Sequence, residues 1–157
     1  RQLVSNASNF GKVISSHKEF DVTDVYQQLN QASFCPTMTF FGLTHIKSDA
    51  ETTHFTVTFP QAALNPMGYV QGGMISAALD DATSIAMIKG YDRKKAPLST
   101  NLHILFHRPM PEGLGHIEVK IINLGRKSAT SEGRLFDANH KLVATLLHSA
   151  QPVDTGQ

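Results

Sequence analysis

The stretch Asn65-Pro-Met-Gly-Tyr-Val-Gln-Gly-Gly-Met-Ile-Ser-Ala-Ala-Leu-Asp-Asp-Ala-Thr-Ser84 opens the one long helical pattern in the chain. The spacing predicts a helix from about Gly72 to Lys89, closed by Gly90 as a C-cap. At the usual helical rise it is roughly 27 Å long, the width of a small domain. Met74, Ile75, Ala77, Ala78, Leu79, Ala82, Ile85, Ala86, Met87 and Ile88 make it apolar nearly all round. Such a helix is expected to be enclosed rather than to lie on a surface.

The segments around it can supply the enclosure. Upstream, Val22, Val25, Tyr26 and Leu29 stand at helical spacing within Asp21 to Phe34, a short amphipathic helix with Asp21 or Thr23 as N-cap. From Met38 onward the period is expected to change to two, clearest in His54 to Phe59, and Pro60 ends that strand. Downstream, strand patterns cover Leu98 to Arg108, Gly115 to Leu124, Ser128 to Asp137 and Lys141 to Ala150, with turn-forming residues between them. Strands that follow one another without helices pair antiparallel, so the fold class is α+β: an antiparallel sheet curled around one buried helix. Residues 1–35 read as an N-terminal extension and 36–152 as the single domain.

Composition narrows the function. The chain has 157 residues, a net charge of +1 and only 17% charged residues. So sparse a charged surface suits partial cover by a second copy of the chain. No basic field marks a nucleic-acid partner, and no apolar run is long enough to span a bilayer. The single cysteine, Cys35, rules out an internal disulfide framework and points to a reducing, cytoplasmic setting. The first 18 residues hold no Asp or Glu and read as a frayed extension rather than a targeting remnant. Cys35 itself reads as a small core or linker residue.

Two carboxylates in the middle of an apolar helix need a reason. Ser76, Asp80 and Ser84 fall at i, i+4 and i+8, a single polar stripe, while Asp81 points about 100° away. A carboxylate beside apolar surface takes a proton more readily, which suits Asp80 to general-base work. At the helix start, Gly72-Gly73 lets a ligand come close to the backbone. The first N–H groups there lack intrahelical partners and can stabilise an oxyanion. Asn65 and Gln71 add side-chain amides.

With these residues placed, the segment resembles the signature of hot-dog-fold acyl-CoA thioesterases of the phenylacetate-pathway, PaaI-like type. That pattern has an Asn, a Gly, then His-Gly-Gly and an acidic residue nine positions after the His. Asn65, Gly68, Gln71-Gly72-Gly73 and Asp80 stand at those spacings. Ser99 to Pro109 resembles the family's strand after the helix. The resemblance implies a hot-dog fold, a homodimer or dimer of dimers, active sites at the dimer interface, and an acyl-CoA substrate. It implies Asp80 as general base or nucleophile, Gly72 N–H and Asn65 on the thioester carbonyl, and Ser84 and Ser99 around the attacking water. Asn65 and Gly72 would come from one subunit and Asp80 from the other. No metal or cofactor is expected, CoA being part of the substrate.

Gln71 departs from the family His and cannot exchange protons near neutral pH, which leaves it a positioning role. A non-enzymatic acyl-CoA sensor is the alternative reading, and a hot-dog dehydratase is disfavoured because no His lies near the helix start. Arg126 and Lys127 in a turn, and Arg108 at a strand end, are candidates for the CoA phosphates, and Arg93-Lys94-Lys95 is a further basic cluster. His103 and His107 lie about 13 Å apart on a strand and cannot share a metal ion. Leu102, Ile104 and Phe106, on the opposite face, are expected to pack on the helix. Met67, Tyr69, Met74, Phe40 and Phe41 suit an acyl pocket or the core equally.

Overall fold

The computed structural model describes residues 35–156. The helix expected over Asp21 to Phe34 lies outside them. The described chain runs α1 (Pro36–Phe41), β1 (Thr44–Ser48), β2 (Thr52–Phe59), a 3-10 turn (Gln61–Ala63), α2 (Gly72–Gly90), β3 (Lys95–Phe106), β4 (Gly113–Leu124), β5 (Ala129–Asp137) and β6 (Leu142–Asp154). The strands form one sheet in the order β1-β2-β4-β5-β6-β3. Every pair is antiparallel. This is the hot-dog arrangement, with α2 laid across the sheet.

Alternation in the strands builds the core. Phe55, Val57 and Phe59 of β2, Ile117 and Val119 of β4, Leu135 of β5 and Leu146 of β6 bury against Ile75, Leu79, Ala82 and Ile85 of α2. Gly133 on β5 lets the helix press close, because a Cβ there would stand 2.9 Å from Thr83 Cγ2 and 3.2 Å from Leu79 Cδ2. That contact seats Thr83 against the sheet.

Four expectations need correction. The residues from Met38 do not start a strand: Pro36 at the first helical position and Gly42 at φ 54 bracket one short helix, α1. Gly90 is not a left-handed cap but the last residue of α2, whose C-cap is Tyr91 at φ −90. Gly90 is needed for closeness instead, since a Cβ would lie 2.5 Å from Leu124 Cδ1. The helix is not enclosed all round, for Gly73 is exposed and Ala77, Ser84 and Ile88 are only half-buried. Of the three β3 residues expected on the helix, Ile104 joins the core. Leu102 and Phe106 remain 38% and 51% exposed. β3, like β1, is an edge strand of the sheet, with a neighbour on one side only.

Candidate active site

The candidate residues assemble into two clusters, one at the N-terminus of α2 and one about two turns further along it. The first surrounds the N-terminus of α2. Asn65 closes a tight loop: its N–H donates to Tyr69 O at 2.7 Å, and its carbonyl accepts from Gly68 N at 2.9 Å. Gly68 has φ 83, which glycine adopts without strain. Asn65 Oδ1 accepts from the N–H groups of Met67 at 2.9 Å and Tyr69 at 3.2 Å. Its oxygen is therefore committed to the loop, and the NH2 is the half left to meet a ligand. Gln71 is the N-cap of α2 without a side-chain capping bond. The Gly72 N–H emerges beside Phe106, whose Cζ would be 3.0 Å from any Cβ at position 72.

The second cluster surrounds Asp80, whose side chain is 34% exposed. Its Oδ1 accepts from Ser99 Oγ at 3.0 Å and from Ser84 Oγ at 3.4 Å. Ser76, expected on the same stripe, turns back to donate to Gly72 O at 2.9 Å. The stripe thus divides, Ser84 serving Asp80 and Ser76 its own helix.

A residue that sequence reasoning missed completes this cluster. His148 of β6 is wholly buried. Its Nε2 lies 3.0 Å from Ser99 Oγ and 3.5 Å from Asp80 Oδ1, and its Nδ1 lies 2.8 Å from Thr83 Oγ1. Burial holds the imidazole below its ordinary pKa, and the charge of Asp80 acts in the opposite sense. Alternation along β6 carried the signal: Ala144, Leu146, His148 and Ala150 all face inward. Asp81 belongs to neither cluster. It faces α1, takes a hydrogen bond from Thr37, and is pushed up to about 6, chiefly by burial and further by the Asp80 charge.

The basic candidates separate by register. Ser99 pairs with Ala150, and Ala150 pairs with Ala129, so the exposed turn carrying Arg126 and Lys127 lies at the same sheet end as Ser99. Arg108 follows Phe106, at the far end of β3, about 24 Å along the strand from Ser99. There its charge helps hold the Asp137 carboxylate low, behind the larger effect of the Lys141 and Asn139 N–H groups. His103 and His107 are both exposed, and His107 Nε2 pairs with Thr145 Oγ1 at 3.0 Å.

Known proteins carry the same architecture. The sequence profile of the thioesterase superfamily matches residues 67–144. A Saccharolobus solfataricus protein provisionally named an esterase is 26% identical over 126 residues, 80% of this chain and 81% of its own. A phenylacetic acid degradation-related protein from Ralstonia eutropha JMP134 is 28% identical with a TM-score of 0.73, covering 81% of this chain and 98% of that one. The smu.793 protein of Streptococcus mutans UA159, solved with acetyl-CoA bound, has a TM-score of 0.64 at 14% identity, over 71% of this chain and 89% of that one. A long helix laid across an antiparallel sheet is the fold that these proteins share. The chain belongs to the thioesterase superfamily, as a hot-dog hydrolase of the PaaI-like type.

Proposed function

We propose that the protein hydrolyses acyl-CoA at a site shared by two copies of the chain. One observation carries this reading. Gly72 and Asp80 are eight residues apart on one helix, so about 12 Å of rise separates the carbonyl-binding N–H from the base. A single chain cannot bring both to one carbonyl carbon. A second chain, turned about a two-fold axis beside β3, can offer its Gly72 and Asn65 to the first chain's Asp80. The free edge of β3 and the exposed Leu98, Leu102 and Phe106 support that place for the partner.

In this site, Asp80 and Ser99 hold a water, and Asp80 takes its proton as the oxygen attacks the thioester carbonyl. The oxyanion forms against Gly72 N–H and the Asn65 NH2. Collapse expels the CoA thiolate, which leaves without needing an acid of its own. Ser84 steadies the carboxylate, and Gln71 acts by hydrogen bonding alone. Arg126 and Lys127 lie at the Asp80 end, where the CoA phosphates are expected to enter. Acetyl-CoA in the S. mutans relative supports CoA as the carrier.

The test is a panel of short, long and aromatic acyl-CoAs followed by thiol detection. Hydrolysis of at least one by wild type, with loss in Asp80→Ala, is expected. Binding without turnover across the panel, or turnover indifferent to Asp80→Ala, refutes the assignment and favours a sensor. Single turnover in labelled water separates direct attack by Asp80, which places label in its carboxylate, from general-base attack.

A further inference from the structure

Thr83, His148, Ser99 and Asp80 form one line of polar contacts whose protons can be counted. Thr83 Oγ1 lies 2.7 Å from Leu79 O and 2.8 Å from His148 Nδ1. His148 Nε2 lies 3.0 Å from Ser99 Oγ, which lies 3.0 Å from Asp80 Oδ1. Each of these four contacts joins two electronegative atoms and needs one proton between them. The two hydroxyls and a neutral imidazole bring three. Thr83 spends its proton on the Leu79 carbonyl, which can only accept, so Nδ1–H must donate to Thr83. Nε2 is then bare, and the lone Ser99 proton is shared between Nε2 and Asp80. One further proton, on Nε2, fills every contact at once.

We propose that His148 is the terminal proton acceptor behind Asp80, receiving through Ser99 the proton that Asp80 takes from the attacking water. The transfer balances. Asp80 Oδ1 gains the water proton and passes it to Ser99 Oγ, while Ser99 gives its own proton to His148 Nε2. The water-derived hydroxide is by then bonded to the carbonyl carbon, and no electrons change hands. Asp80 is again a carboxylate, 3.5 Å from the imidazolium it helps to stabilise. The proton returns along the same line to the departing thiolate or to solvent.

The surroundings suit the role. Asp80, from α2, is the ionisable group set against His148 among the described residues. From β3 comes Ser99, and from β5 comes Ser131, His148's cross-strand partner, whose buried hydroxyl has no hydrogen bond. Among the described residues no cation faces His148 to oppose its charging, and burial favours the neutral ring.

This proposal rests on Asp80 as general base, and its test has one arm that needs no substrate. In protein with 15N-labelled histidine, the His148 signals are assigned by their loss in His148→Gln. At pH 8, Nδ1 is expected to be protonated and Nε2 bare, with Nε2 gaining a proton as pH falls. A proton on Nε2 at pH 8 overturns the relay even if no thioester is ever cleaved. The kinetic arm uses the best acyl-CoA of the panel. His148→Gln and Thr83→Val, which touch no substrate, are expected to lower kcat about tenfold or more with KM unchanged. Both are expected to move the acid limb of the pH–rate profile to lower pH. A folding defect is read separately from the melting curve, and folded variants with an unmoved acid limb overturn the proposal.

Discussion

Asp80 and Asp81 adjoin in the chain but live in different surroundings: Asp80 Oδ1 meets Ser99 at 3.0 Å, while Asp81 Oδ2 is buried without a hydrogen bond. Substituting each by Asn is expected to separate activity from stability. Asp80→Asn abolishes turnover. Asp81→Asn keeps it and stabilises the fold above pH 6. The sign follows from Asp81 being raised from 3.8 to about 6. The folded state binds the extra proton, so stability falls as pH rises through that window and the whole cost is present above it. The gain at pH 8 is about 2 kcal/mol and vanishes near pH 4. Denaturant midpoints at the two pH values check it.

Gly72→Pro removes the oxyanion donor and also fills the bare backbone beside it. Proline is at home in the first helical position, and Gln71 at ψ 139 has the extended backbone that precedes proline. The half-exposed Phe106 ring has room to shift. The expected result is a folded protein with kcat lowered about 10²-fold to 10³-fold, the usual cost of losing one such donor. Circular dichroism and steady-state kinetics decide it.

Mixing Asp80→Ala with Asn65→Ala protein tests whether a site is shared. Random re-pairing makes half of the dimers mixed, and each holds one intact site of two, so about a quarter of wild-type activity returns. No recovery after demonstrated subunit exchange places both residues in one chain's site.

Arg126→Ala with Lys127→Ala is expected to raise KM for acyl-CoA with little change in kcat, and to weaken its salt dependence. An acylated pantetheine, which lacks the nucleotide phosphates, should show no such change. Arg108→Ala is expected to leave KM unmoved and to destabilise the turn near Asp137 slightly. Initial rates at two ionic strengths distinguish these outcomes.

Periodicity made the long helix and the antiparallel strands legible, because α2 and β2 each repeat their pattern over several turns or pleats. Pro36 to Phe41 is too short to repeat anything, so its helix is announced only by Pro36 and Gly42. In the candidate site, Asp80, Gly72 and Asn65 stand out in the sequence through their spacing along one segment. His148 lies 68 positions beyond Asp80 and meets it only because the sheet order sets β6 beside β3. Leu102 and Phe106 do alternate as a buried face should, yet this chain does not cover them. Such a pattern says that an apolar face is present and nothing about whose surface covers it.

The eight-position offset between Gly72 and Asp80 carries a consequence for how such an enzyme behaves on dilution. On the shared-site reading, a lone chain owns every catalytic group but cannot bring its Asp80 to its own Gly72 and Asn65. On that reading, specific activity follows the population of assembled chains, falling once protein concentration drops below the dissociation constant. Catalysis then reports assembly, and a ligand that bridges both halves, an acyl-CoA among them, holds the pair together as it is consumed.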